Sequence, residues 1–182
     1  MKKLTKILAI AILIILLLTV CYFKTRGNGK LIATLTSVEG TTTYEMNFNG
    51  ATVAEGSHSG LSFAFQEGDT QIYFDIPATE KFGIWEIYNH PDRTYENYTE
   101  ELPLTITDED YIGMKDAFGN DLSGDLSMGN TYFNDFEITI NSIKIKDEKL
   151  WMAGSFAGKT EDNEINGTFN IIDGFISLMM VD

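Results

Sequence analysis

The chain has 182 residues, with 27 acidic against 13 basic side chains, a net charge of −14 and one cysteine. So negative a chain does not suit nucleic acid, whose phosphates call for basic residues, and a lone cysteine rules out disulfides within the chain. Aromatic residues make up 12% and prolines number three, a composition that buries a core rather than staying unfolded.

Residues 7–23 form the first element, an uncharged apolar run preceded by Lys2, Lys3 and Lys6. A membrane-spanning helix needs about 17–25 such residues. A secretory signal has an apolar core of about 7–15 residues and a small-residue cleavage site. No Ala-x-Ala-like site follows, so the run is expected to anchor the chain. Two forms stay open. One is an uncleaved transmembrane helix, with Tyr22 and Phe23 at the interface and Lys24 and Arg26 beyond. The other is a lipid attached at Cys21, because Leu18-Thr19-Val20-Cys21 resembles a bacterial lipobox, departing from it at Val20 where the pattern has Gly, Ala or Ser. A helix or two acyl chains hold firmly, so both forms tether the rest of the chain.

Three units are expected: residues 1–23 as signal or anchor segment, 24–30 as a short linker with Gly27 and Gly29, and 31–182 as one domain. The bases flanking the run are balanced, Lys2, Lys3 and Lys6 against Lys24, Arg26 and Lys30, and all acidic residues lie after them. An amino-terminal export signal puts the acidic domain outside, at the cell membrane or outer membrane.

Beyond the linker the apolar period becomes two, the pattern of strands. Leu31, Ala33 and Leu35 mark the first. Glu39-Gly40 turns the chain, and Tyr44, Met46 and Phe48 line the second. Asn49-Gly50 is a hairpin signal, predicting a return over residues 51–54. Leu61, Phe63 and Phe65, then Ile72, Phe74 and Ile76, mark two strands around a turn at Glu67-Gly68-Asp69. Residues 81–88 read as a strand, and residues 104–107 as a short one. Residues 108–130, with four glycines and six acids, read as a long acidic excursion. Phe136, Ile138 and Ile140 alternate, then slip by one place at Asn141-Ser142, which predicts a β-bulge. Asp147-Glu148-Lys149 turns into a strand over residues 150–157. Ile165, Gly167, Phe169 and Ile171 come next, then a tight turn at Asp173-Gly174 and a last strand over residues 175–181. Many short strands and no helix after the anchor predict an all-β fold, an antiparallel β-sandwich or a barrel meander.

The phrases Gly154-Ser155-Phe156, Gly167-Thr168-Phe169 and Asp173-Gly174-Phe175, with Gly83-Ile84-Trp85-Glu86-Ile87 upstream, resemble the strands of small envelope lipoproteins from Bacteroidota. That resemblance implies an all-β lipoprotein of the cell envelope and carries no catalytic residues.

Chemistry has few footholds. Asp108-Glu109-Asp110-Tyr111-Ile112-Gly113 begins like an EF-hand loop, but Ile112 and Gly119 stand where oxygen ligands are required. A looser calcium site from Asp116, Asn120, Asp121 and Asp125 is the metal candidate, set against a solvated turn-rich loop. His58 and His90 are the only histidines and lack zinc spacing. No Gly-x-Ser-x-Gly elbow accompanies Ser57 and Ser59. Trp85, Tyr88, Tyr95 and Tyr98 are the candidate contact for a ligand or partner protein, set against Trp85 packing in the core. The expected function is a membrane-tethered, non-enzymatic envelope β-domain that binds a small ligand or an envelope protein, with no cofactor. The alternatives are an envelope hydrolase using a carboxylate pair and a calcium-stabilised structural module.

Overall fold

Alternating apolar and polar residues carry the chain from Asn28 into β1 (Asn28–Ser37), which buries Leu31 and Ala33 and turns Lys30 and Ile32 outward. The computed structural model describes residues 28–56, 60–78, 102–111, 114–115, 119 and 123–181. A turn at Val38-Glu39 leads into β2 (Gly40–Gly56), followed by β3 (Gly60–Glu67) and β4 (Thr70–Pro77). After β5 (Leu104–Thr107) comes one turn of 3-10 helix, Asp108–Tyr111. Short β6 (Asp125–Met128) and β7 (Thr131–Phe133) precede three long strands, β8 (Asp135–Lys146), β9 (Lys149–Lys159) and β10 (Asn163–Val181).

The all-β expectation holds. The strands form one sheet of ten, ordered β5-β8-β9-β10-β1-β2-β3-β4-β6-β7, and it curls into a half-barrel. All neighbours in that order run antiparallel, and one additional pairing is parallel: the last part of β10 runs alongside the last part of β2, from Ile176 opposite Ala51 onward. The curl brings distant strands together across an aromatic core. Phe74 of β4 meets Phe156 of β9 edge-on with centroids 5.0 Å apart, and stacks on Phe63 of β3 at 4.6 Å. Phe169 of β10 lies 5.4 Å from Phe63 and 5.8 Å from Phe74. Each of these buried rings stabilises the fold by roughly 1.5–3 kcal/mol. Together they fill the centre of the half-barrel. Gly158 of β9 faces β6 and β7 so closely that a Cβ there would stand 2.7 Å from Leu126 and 2.9 Å from Phe133.

Several turns are placed as the sequence predicts. Gly68 (φ 58°) and Asp69 join β3 to β4, Asp147 and Glu148 join β8 to β9 with φ of 52° and 60°, and the β8 bulge falls between Ile140 and Ser142. Two expected hairpins are instead bends within continuous strands. At Asn49-Gly50 the register of β2 on β3 shifts by one residue and the strand runs on, because Phe48, Ala51 and Val53 all belong on the inner face. At Asp173-Gly174 the register of β10 on β9 shifts, and Ile171, Gly174 and Ile176 continue the same face. The extra residue in each case keeps the remainder of the strand buried on its proper face. The acidic excursion over residues 108–130 is also broken up: it begins in the 3-10 turn and ends in β6. The strand expected over residues 81–88 lies outside the described residues.

The two bends face each other. A Cβ on Gly174 would stand 2.8 Å from the Phe48 ring. Asn28 pairs with Ile172, so β1 separates β2 from β10 only up to this point. Past it the two long strands meet directly, and this is where the chain enters the sheet.

Candidate functional site

Beyond the bends the outer face of the sheet changes character. β10 presents Phe175 and Met179, which are 40% and 53% exposed. The next two strands present only small side chains, Thr52 and Ala54 from β2 and Ser62 and Ala64 from β3, and Tyr73 of β4 rises on the far side. Small residues between tall neighbours leave a groove of about 470 Å³ across four strands. Its floor is firm: Ala64 is buried, and the Thr52 and Ser177 hydroxyls are hydrogen-bonded at 2.9 Å across the parallel junction.

A polar strip borders the groove on the β4 side. Asp75 of β4 stands directly opposite Asp125 of β6, a pairing that puts Cβ atoms about 4.5–5.5 Å apart. The Ser62 hydroxyl donates to Asp75 Oδ1 at 2.7 Å. The Tyr73 phenol is pushed above its ordinary value, chiefly by burial, with the charges of Asp75 and Asp125 adding and a hydrogen bond with Ser62 opposing. It therefore stays a neutral hydroxyl. The arrangement offers one apolar wall, a floor of small side chains and one hydrogen-bonding edge. Asp75 and Asp125 lie beside this groove rather than in its lining.

On the core side of β6, Tyr111 packs against Phe136 with ring centroids 6.4 Å apart, and Gly124 is held close beneath it. Its hydroxyl is buried and has no hydrogen-bond partner among the described residues. Burial foremost, then the charges of Asp110 and Asp75, push this phenol well above the ordinary tyrosine range.

Of the residues proposed from the sequence for lipid attachment, partner binding or calcium, Asp125 alone falls within the described residues. Cys21, His58, Trp85, Tyr88, His90, Tyr95, Tyr98, Asp116, Asn120 and Asp121 lie outside them. The start of the EF-hand-like segment is turned on its own backbone: Asp110 Oδ2 accepts from the Thr107 amide at 2.8 Å, and Asp108 Oδ1 accepts from the Glu109 amide at 3.0 Å. Among the described residues no three His, Cys, Asp or Glu side chains converge as metal ligands would, and no helix is long and apolar enough to cross a membrane. The groove was not foreseen from the sequence. Its signal is the run of small residues at the outward positions of two neighbouring strands, Thr52, Ala54, Ser62 and Ala64. No family model, curated protein or solved structure matches the chain.

Proposed function

We propose that this chain is a non-enzymatic β-domain of the cell envelope, tethered to the cell membrane or outer membrane by its first 23 residues, which binds a ligand or partner through its outer face. The observation that carries the reading is the groove on the outer face. The centre of the half-barrel is filled by Phe63, Phe74, Phe156 and Phe169, whereas the groove lies outside, on the strands beside the point of chain entry. The four rings leave no open chamber at the centre of the half-barrel, and a groove with a small-residue floor suits recognition. The uncharged run of residues 7–23 and the resemblance to envelope lipoproteins support the tether. Trp85, Tyr88, Tyr95 and Tyr98 remain part of the proposal as a second contact.

A photo-cross-linking residue placed at Ala64 in living cells tests the groove. One discrete adduct is expected from position 64 and none from Glu137, which faces solvent on β8. Ser62→Trp, which fills the groove, should abolish it. Equal labelling from both positions, or an adduct indifferent to Ser62→Trp, would rule the groove out as the binding face.

A further inference from the structure

We infer that what this face meets is the lipid bilayer itself, so that the domain lies against the membrane with the end of β10 in contact with lipid. The inference rests on the tether proposed above.

Position is the first argument. Only Lys24, Thr25, Arg26 and Gly27 separate the apolar run from Asn28. Five chain steps reach at most about 18 Å, so the start of β1 stays close to the end of that run. Ile172 pairs with Asn28, and Phe175, Leu178 and Met179 come after it on β10.

Exposure is the second. Among the described residues, seven large apolar side chains are exposed: Ile32, Val38, Tyr132, Ile172, Phe175, Leu178 and Met179. Four of them fall within eight consecutive residues of β10, at the end where the chain enters. Phe175 and Met179 point to the outer face, while Leu178, 44% exposed, points to the other. An apolar edge exposed on both sides fits insertion between lipids better than docking of one protein face. The bordering groove, walled by Phe175 and Met179, would take in part of a lipid.

Charge is the third. Seven basic residues lie beyond position 30, and Lys144, Lys146 and Lys149 gather at this end, with Lys149 opposite Phe175 and paired with Asp173. Lys24, Arg26 and Lys30 precede or begin β1. Glu45, paired with Lys30, and Asp147, Glu148 and Asp173 offset part of this, so the end is close to balanced while the chain as a whole is strongly acidic. A zwitterionic lipid surface suits such an end, with lysines at the level of the phosphates.

The test uses the full chain in phosphatidylcholine nanodiscs doped with a lipid carrying a nitroxide near the headgroup end of its acyl chain. Methyl signals of Ile172, Leu178 and Met179 should be weakened several-fold relative to Val38, which is exposed at the opposite end of β1. Phe175→Ser combined with Met179→Ser removes two exposed side chains without touching the core, and should return Leu178 to the intensity of Val38. Equal intensities in a chain that co-purifies with the nanodisc overturn the bilayer contact and leave the tether standing. A chain that fails to co-purify overturns both. A protein rather than a phospholipid in the adduct at position 64 overturns this inference alone.

Discussion

Tyr111 shows how one atom sets a local balance. Its ring packs on Phe136 above Gly124, while its hydroxyl is buried without a partner among the described residues. An unsatisfied buried hydroxyl costs about 1–3 kcal/mol. Phenylalanine keeps the ring and drops the cost, so Tyr111→Phe should raise the unfolding free energy at neutral pH by about 1 kcal/mol in urea titration. The alkaline side gives an independent check. The folded phenol holds its proton above the ordinary value of 10.0 because of burial and the charges of Asp110 and Asp75. The unfolded phenol releases its proton near that value, so above it the unfolded state binds fewer protons and stability falls as pH rises. That loss begins near the unfolded value and continues towards the higher folded one. Phenylalanine cannot ionise, so the advantage of the variant should widen above pH 10.0. A difference that stays constant into the alkaline range would remove this account of Tyr111.

At the scale of elements, the phrases Gly154-Ser155-Phe156 and Gly167-Thr168-Phe169 acquire a physical reason. β9 and β10 pair so that Gly154 faces Phe169 and Gly167 faces Phe156. Each phenyl ring lies over the glycine of the other strand: a Cβ on Gly154 would stand 2.6 Å from Phe169 Cζ, and one on Gly167 would stand 2.9 Å from Phe156 Cζ. The same added atoms would also collide with the carbonyl oxygens of Thr139 and Ile32. Overpacking of this kind costs about 1–3 kcal/mol or more. Gly154→Ala and Gly167→Ala should each lower stability by at least that much in chemical denaturation, while Ser155→Ala, between them, should stay within about 0.5 kcal/mol. Equal effects at all three positions would mean that the rings do not need the glycines. The strand bends carry a related lesson. Ile138, Ile140, Ile143 and Ile145 are spaced two, three, two, and that spacing is read correctly as a bulge in β8. Met46, Phe48, Ala51 and Val53 have the same spacing in β2, as do Phe169, Ile171, Gly174 and Ile176 in β10. There Asn49-Gly50 and Asp173-Gly174 look like turns, and local turn chemistry outweighs the longer pattern in a reading from sequence. The structure resolves the conflict in favour of burial, which governs register along a whole strand.

For the whole molecule, alternation made the all-β class legible, since each inward residue announces itself by period. Partnership between strands was not legible. The pairing of β10 with β1 and β2 joins residues far apart in the chain, such as Thr52 and Ser177, and a strand's own pattern does not name its neighbour. The groove depends on that partnership, so its small residues carry no message until β2, β3 and β10 are side by side. The same pairing sets the start of β1 beside the apolar end of β10, so the tether proposed above would do more than attach the chain: it would hold one particular end of the sheet near the membrane. Intact-mass analysis of protein extracted from washed membranes examines that tether directly. The expected species is either the full chain beginning at Met1, retained by an uncleaved helix, or a chain beginning at Cys21 and heavier by its acyl groups. Cys21→Ser separates the two, because it should leave a helical anchor in the membrane fraction and release a lipid-anchored chain into the soluble fraction or block its processing. An unmodified chain that begins after residue 23 and is recovered free of membrane would overturn the tether, and with it any reason for the end of β10 to meet lipid.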